Sequence, residues 1–220
     1  DMVSQLGGMS LGRPYSSGTY SVSDSGRYAY TFGSVHNPSD LAVGYNKSFK
    51  RLTFLNKDLF DHKQLGDVEE VWFKSSFDER QIQGWLVKPP NFDSSKKYPL
   101  ILEIHGGPFS NYGFRFSAEV QLFASKGYIV LYTNPRGSTS YGKEFANLIH
   151  HNYPNQDYDD LMSGVDHILK RSYIDKDNLF VTGGSGGGVL TAWIIGKTNR
   201  FKAAVVAKPV INWYSFVLYA

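Results

Sequence analysis

A serine enclosed by glycines, in Gly183-Gly184-Ser185-Gly186-Gly187, is the feature that most constrains the fold of this chain. The apolar run before it, residues 179–182, predicts a buried strand, and the residues from about 187 onward predict a helix. Glycine lets two backbones pass closely and accepts unusual dihedral angles, so this segment can form a sharp strand-to-helix turn. The pattern therefore predicts that Ser185 projects above a sheet, with the N-terminus of a helix directed at it.

A second glycine-rich segment, His105-Gly106-Gly107-Pro108, follows another apolar run, residues 100–104, which also predicts a buried strand. A serine nucleophile needs N–H donors that stabilise the oxyanion formed when it attacks a carbonyl group. Gly186, directly after the serine, supplies one candidate donor, and Gly107 supplies the other. Each segment alone is compatible with a simple glycine-rich turn. The pair predicts a catalytic serine with an oxyanion hole.

Two kinds of pattern divide the chain near residue 67. Residues 1–66 contain short runs typical of the strands of a sandwich or a propeller blade, and about three strands cannot close such a structure alone. From residue 67, strands alternate with helices, which predicts an α/β fold with a mostly parallel sheet and flanking helices. The predicted strands are 28–32, 41–45, 51–55, 68–73, 81–87, 100–104, 128–132, 179–182 and 203–207, and the predicted helices are 116–125, 157–171 and 189–195.

Composition excludes several classes of protein. The 220 residues carry a net charge of +3 without a basic stripe, so we expect no nucleic-acid partner. There is no cysteine, which removes disulfides and thiolate chemistry and favours a reducing compartment such as the cytoplasm, with secretion or the periplasm left open. No apolar run is long enough for a membrane span, and no His/Asp/Glu spacing suggests a metal. We expect neither a metal nor a cofactor.

Four motifs together resemble the prolyl oligopeptidase family of serine peptidases, and most closely its acylaminoacyl-peptidase and dipeptidyl-aminopeptidase-like branch. They stand in the order and at the spacing of that family, and the similarity covers about residues 68–216. The motifs are Pro99 to Pro108, Asn134 to Gly142, Asp157 to Leu161, and Gly183 to Gly188 followed by Leu190 to Trp193.

The resemblance implies a β-propeller followed by an α/β-hydrolase domain. Residues 1–66 would then be the C-terminal part of the propeller, and residues 67–220 the N-terminal part of the hydrolase domain. It also implies hydrolysis of short peptides near their N-terminus, and an aromatic or apolar pocket beside the serine. Phe109, Trp213 and Tyr214 are candidates for that pocket, although each side chain could equally belong to the core.

Two further residues of these motifs need an interpretation. Arg136 could clamp a carboxylate or carbonyl group of the substrate, but we expect it to hold the loop after strand 128–132. Many relatives have tyrosine directly after the nucleophile, where this chain has Gly186. The N–H donor is kept, so only the shape of the adjoining pocket is put in doubt.

A base for Ser185 is missing from the sequence that follows it. In an α/β hydrolase the chain order is Ser, then Asp or Glu, then His. Residues 186–220 contain no Asp, no Glu and no His. All six histidines precede the serine, and His105 belongs to the oxyanion loop. We therefore expect a fragment of a longer enzyme, inactive alone, whose partners are short peptides and the rest of the same protein, with a homo-oligomer left open. A carboxylesterase-type hydrolase and a non-catalytic scaffold are the alternatives.

Overall fold

A computed structural model describes residues 12–219 of the chain and contains two β-sheets. One sheet is small, antiparallel and formed by the first strands, and the other is larger, mostly parallel and flanked by helices. This combination confirms the predicted fold class, a partial α/β hydrolase preceded by propeller-type strands.

The small sheet has four strands in the order β1-β2-β3-β4, each antiparallel to its neighbour. The sequence predicted a strand at 51–55, but the ladder ends at Arg51. The buried carboxylate of Asp40 accepts hydrogen bonds from the Thr53 hydroxyl at 2.8 Å and the Leu55 N–H at 3.0 Å, which draws the following chain away from the sheet. The strands are β1 (Tyr20–Val22), β2 (Arg27–Phe32), β3 (Asp40–Tyr45) and β4 (Ser48–Arg51).

The large sheet has six strands in the order β10-β9-β7-β8-β6-β5. The four strands from β10 to β8 are parallel, whereas β6 and β5 join as an antiparallel pair at one edge. Parallel strands bring their carboxyl ends to one edge of a sheet, and β7 and β9 there lead into the two glycine-rich segments. The strands are β5 (Val68–Lys74), β6 (Gln81–Val87), β7 (Tyr98–Ile104), β8 (Ile129–Asn134), β9 (Ile174–Gly184) and β10 (Ala203–Ala207).

Helices cover this sheet with apolar faces. The α4 helix buries Leu161, Val165 and Ile168 against the central strands, as its 3.6-residue periodicity predicts. The α2 helix begins at Ala118 because the Ser117 side chain caps the N–H of Val120 at 3.1 Å. The helices are α1 (Lys57–Phe60), α2 (Ala118–Ser125), α3 (Gly142–Asn147), α4 (Asp157–Ile168), α5 (Gly186–Lys197) and α6 (Trp213–Tyr219).

Some bounds differ from the sequence-based prediction. The β9 strand begins at Ile174 rather than 179: Ile174 is buried and pairs with Tyr98 on β7, and the polar residues 175–178 continue the strand between it and Leu179. The α4 helix ends at Ile168 rather than 171, and α5 begins directly after the serine. The α1, α3 and α6 helices were not predicted. Among residues 12–219, no helix is long and apolar enough to cross a membrane.

Candidate active site

Ser185 occupies the turn between β9 and α5. Its backbone has φ 57° and ψ −118°, and its N–H donates to the carbonyl oxygen of Ala207 at 2.9 Å. The Ser185 carbonyl oxygen accepts the N–H of Val189 at 3.0 Å and so starts the helix. Within residues 181–190, Ser185 alone is exposed. The turn thus presents one reactive side chain to solvent and buries everything around it.

Glycine is required at two positions of this turn because three backbone segments meet there. A Cβ at Gly183 would overlap the carbonyl oxygen of Gly187. A Cβ at Gly187 would overlap the carbonyl oxygen of Ile104, at the end of β7. The two glycines therefore let β9, α5 and β7 approach closely enough to bring the serine beside the loop that follows β7.

The structure brings Gly107 and Gly186 together beside Ser185. A Cβ at Gly186 would lie 3.1 Å from the Gly107 nitrogen, and a Cβ at Gly106 would lie 3.2 Å from the Ser185 Cβ. Gly107 has φ 126°, a conformation that favours glycine. Neither the Gly107 nor the Gly186 N–H donates to an acceptor within residues 12–219. The two donors are thus available for an oxyanion, and the N-terminal end of the α5 dipole adds to their effect.

Gly186 allows the oxyanion loop to lie closer to α5 than a larger residue at this position would. A Cβ there would also lie 3.1 Å from the Pro108 nitrogen, which is tighter than most contacts of this kind. A larger residue would therefore push the loop 105–108 away by a few tenths of an ångström. Glycine at this position lets the loop lie close to the start of α5.

The His105 side chain stabilises this loop through both of its ring nitrogens. The side chain is buried, with Nδ1 2.7 Å from the Gly106 carbonyl oxygen and Nε2 2.9 Å from the Ser138 Oγ. Burial lowers the pKa of His105 to about 4, so the ring is neutral near pH 7. Both ring nitrogens are engaged, which leaves neither free to take a proton from Ser185.

A cavity of about 640 Å³ lies beside the oxyanion loop, with Pro108 and Tyr153 in its lining, and Ser185 is not among the lining residues. Phe109 and Trp213, two of the residues predicted to form a pocket, line this cavity. Tyr214, the third, is not among the lining residues and its side chain is 85% exposed. The structure therefore brings together two of the three pocket candidates and leaves Tyr214 apart.

Tyr153 links the cavity to the turn and was not singled out from the sequence. Its hydroxyl donates to the carbonyl oxygen of Gly186 at 2.8 Å, and its ring meets that of Trp213 edge-on with centroids 6.4 Å apart. A lone tyrosine in a loop carries no local signal of such a role. It fixes the Gly186–Gly187 peptide unit from the cavity side.

Arg136 lies in a buried network rather than at the cavity. Its Nε and Nη2 donate to Asp160 at 2.9 and 2.8 Å, and Nη2 also donates to Asp78 at 3.1 Å. The Arg136 N–H donates to the same Asp160 carboxylate at 2.8 Å. These bonds tie the loop after β8 to α4 and to the turn between β5 and β6.

The fold and the turn at Ser185 define the chain as part of an α/β hydrolase. The serine stands at a strand-to-helix junction at the carboxyl edge of a mostly parallel sheet, beside two N–H groups that have no acceptor in the described part of the chain. Within residues 12–219, no group of three His, Cys, Asp or Glu side chains is arranged to hold a metal ion.

Comparison with known proteins identifies the family. Residues 114–220 match the sequence profile described as the prolyl oligopeptidase family, and this segment therefore belongs to that family, as the motifs predicted. The uncharacterized peptidase YuxL of Bacillus subtilis is 44% identical over 181 residues, which cover 81% of this chain and 27% of YuxL. The dipeptidyl-peptidase 5 of Aspergillus fumigatus is 36% identical over 163 residues, covering 71% of this chain and 22% of that protein.

Solved structures agree with this family. The acylaminoacyl peptidase of Pyrococcus horikoshii superimposes with a TM-score of 0.84 at 28% identity, covering 92% of this chain and 32% of that protein. The chain thus spans between a fifth and a third of the length of these relatives.

Proposed function

We propose that the longer protein to which this chain belongs is a serine peptidase that hydrolyses short peptides through an acyl-enzyme on Ser185. One observation carries the proposal: an exposed serine at a strand-to-helix turn, beside the Gly107 and Gly186 N–H groups, which have no acceptor within residues 12–219. Relatives named acylaminoacyl peptidase and dipeptidyl-peptidase 5 support peptide substrates of these two kinds.

On this proposal each group at the turn has a role. The Ser185 Oγ would attack the carbonyl carbon of the substrate, and the serine proton would pass to a base. The negative charge that develops on the carbonyl oxygen would be stabilised by the N–H groups of Gly107 and Gly186. On collapse of the intermediate the base would return the proton to the leaving amine, and water would then hydrolyse the ester left on Ser185.

The base is proposed to lie outside this chain. Residues 186–220 contain no Asp, Glu or His, and His105 has both ring nitrogens engaged. We therefore assign the triad carboxylate and histidine to another part of the longer protein. On this proposal residues 67–220 are the N-terminal part of its hydrolase domain, residues 1–66 are the end of a propeller, and the 220 residues alone are inactive.

A fluorophosphonate probe tests this proposal directly, because it reacts with an activated serine and leaves a phosphonyl group on its oxygen. In the full-length protein we expect labelling at Ser185, found by peptide mass mapping, and none in Ser185→Ala. Ser125→Ala is the matched control, since Ser125 is exposed at the end of α2 and should leave labelling unchanged. A full-length protein that does not label, or a Ser185→Ala variant that still labels, would contradict the proposal.

The cavity beside the oxyanion loop is proposed to hold an apolar or aromatic side chain of the substrate residue whose carbonyl is attacked. Trp213→Ala should lower kcat/KM about 10- to 100-fold for substrates with an aromatic residue there, because it removes a large apolar wall. Substrates with alanine at that position should lose much less. Trp72→Ala, on β5 and half exposed, is the control expected to behave as wild type. An equal loss for both substrates would contradict a pocket role for Trp213.

A further inference from the structure

Residues 12–16 lie against the hydrolase half of the chain, although they precede the small sheet. The Gly12 carbonyl oxygen accepts the Ser117 hydroxyl at 2.7 Å and the Glu119 N–H at 3.0 Å. Farther along, Ser16 N–H donates to the Asn111 carbonyl oxygen at 3.1 Å. The segment therefore crosses from the start of α2 to the loop after β7, which brings two of its side chains to the Ser185 turn.

Tyr15 reaches the loop that carries Gly107. Its hydroxyl accepts the N–H of Gly106 at 2.6 Å. A Cβ at Gly106 would lie 3.2 Å from that hydroxyl and 3.2 Å from the Ser185 Cβ, so the tyrosine, the loop and the serine share one small space. The Tyr15 ring also meets Tyr112 edge-on with centroids 4.8 Å apart. The hydrogen bond thus fixes the His105–Gly106 peptide unit, one residue before the Gly107 N–H.

Glu103 is a buried charge two residues before His105 on β7. Its side chain is fully buried, and the neighbouring Tyr112 hydroxyl helps to hold the pKa of Glu103 down, although neither carboxylate oxygen has a hydrogen-bond partner of regular geometry within residues 12–219. Arg13 provides the nearest opposite charge, with Nη1 3.2 Å from the Glu103 Oε1. Burial raises the pKa of Glu103 to about 7, and Arg13 opposes that rise. The charge of Glu103 near pH 7 therefore depends on a residue 90 positions earlier in the chain.

The other titratable groups around Glu103 do not replace Arg13. Tyr112 and Tyr132 are buried phenols whose pKa values are raised by burial, so both are neutral. Glu119 on α2 carries a like charge and pairs with the Arg13 Nε at 3.0 Å. His105, directly after β7, is neutral because burial lowers its pKa to about 4. Among residues 12–219, Arg13 is the cation next to Glu103.

Arg13 also reaches the serine turn itself. A Cβ at Gly184 would lie 2.8 Å from the Arg13 Nη1, so the guanidinium packs against the residue immediately before Ser185. The same Nη1 faces Glu103 on the neighbouring strand. One side chain therefore contacts both strands, β7 and β9, at the edge where the nucleophile and the oxyanion loop emerge.

We propose that Arg13 and Tyr15 are positioning residues of the Ser185 site. Tyr15 orients the oxyanion loop through its hydrogen bond with Gly106, and Arg13 neutralises the charge of Glu103 and packs against Gly184. The inference rests on the proposed function and deepens it. Oxyanion donors act only when they are held at the right place before reaction, and a displacement of about 1 Å can cost about 100-fold in rate. The segment 12–16 would thus help to set the geometry of a site formed by residues about 90 and 170 positions later.

Tyr15→Phe in the full-length enzyme tests the loop contact, because it removes the acceptor of the Gly106 N–H and keeps the ring. We expect kcat to fall about 5- to 20-fold, as for one lost hydrogen bond to a buried N–H, with KM changed less than about twofold. Tyr20→Phe, exposed on β1, is the matched control and should keep wild-type kcat. Wild-type kcat in Tyr15→Phe, or a loss seen only in KM, would overturn the role of Tyr15.

Arg13→Met tests the charge contact through the pH dependence of unfolding. A carboxyl group whose pKa is higher in the folded state than in the unfolded state contributes less to the free energy of unfolding as the pH rises from the ordinary pKa through the raised pKa. Here that window runs from the ordinary 4.5 to about 7, and removal of Arg13 should extend it upward. Arg13→Met should therefore lower the melting temperature more at about pH 8 than at about pH 5.5.

Glu103→Gln supplies the control for that measurement. In its background the cost of Arg13→Met should become the same at both pH values. Arg13→Met should also lower kcat, and the double variant should recover part of that loss. A pH-independent cost of Arg13→Met with Glu103 present would overturn the role of Arg13. The unfolding measurement does not depend on catalysis. If Ser185 did not react with the probe, the proposed function would be contradicted, but the unfolding data would still test the Arg13–Glu103 contact.

Discussion

Asp160→Asn is expected to lower the free energy of unfolding by about 3–5 kcal/mol, because it leaves a buried guanidinium without its main counter-charge. The Arg136 side chain is only 3% exposed, and Asp160 is fully buried. Asparagine keeps the size of the side chain but cannot accept three charge-assisted hydrogen bonds from Arg136. Asp78 pairs with Arg136 as well, but its side chain is 26% exposed and cannot replace the buried carboxylate.

Asp159→Asn is the matched control for this substitution. It changes the neighbouring residue of the same helical turn, and no ion pair within residues 12–219 involves Asp159. Its cost should be below about 1 kcal/mol, from a weaker interaction with the helix dipole. Denaturant unfolding of the full-length protein measures both variants. Equal costs for Asp159→Asn and Asp160→Asn would show that the Arg136 network does not stabilise the fold.

Gly187→Ala is expected to damage the active site and the fold together. The added methyl group would overlap the carbonyl oxygen of Ile104 and lie 2.8 Å from that of His105, so β7 or α5 must move. Overpacking of this kind costs about 1–3 kcal/mol, and more where backbone is involved. Because the same movement shifts the oxyanion loop relative to Ser185, labelling by a fluorophosphonate should slow at least about 100-fold.

Gly196→Ala, in the same helix, should have the opposite effect on stability. Nothing lies within 4 Å of a Cβ at this position, and alanine is favoured over glycine in a helix by about 1 kcal/mol. Labelling of Ser185 should stay at the wild-type rate. If Gly187→Ala labels as fast as Gly196→Ala, the close packing of α5 on β7 does not position the serine.

Much of the large sheet could be predicted from the sequence because its strands carry local signals. Residues 129–134 are all buried, and the strand 203–207 was predicted with the bounds that the structure shows. Where polar residues form strand, as at 175–178 in β9, the pattern gave no indication. The short α1 and α3 helices also escaped prediction, since four to six residues are too few for a clear periodicity.

The residues of the candidate site also fall into two groups, those that the sequence could indicate and those that only the structure shows. Ser185, Gly107 and Gly186 stand in contiguous motifs, so the sequence could point to them, and the structure adds their proximity. Arg13, Tyr15 and Tyr153 act through contacts that cross 33 to 91 positions of the chain. No local pattern encodes such contacts, because they depend on how distant segments pack. Sequence motifs thus indicate the reacting groups, whereas the residues that hold them require the structure.

The left-handed backbone at Ser185 lowers the stability of the fold at the position where the proposed reaction requires a serine. A non-glycine residue at φ 57° and ψ −118° costs about 1–3 kcal/mol, which glycine at the same position would largely avoid. A screen that rewards heat resistance alone would therefore favour Ser185→Gly and discard the nucleophile. Engineered stability for this protein is better sought away from the turn, at positions such as Gly196 where the backbone is already helical.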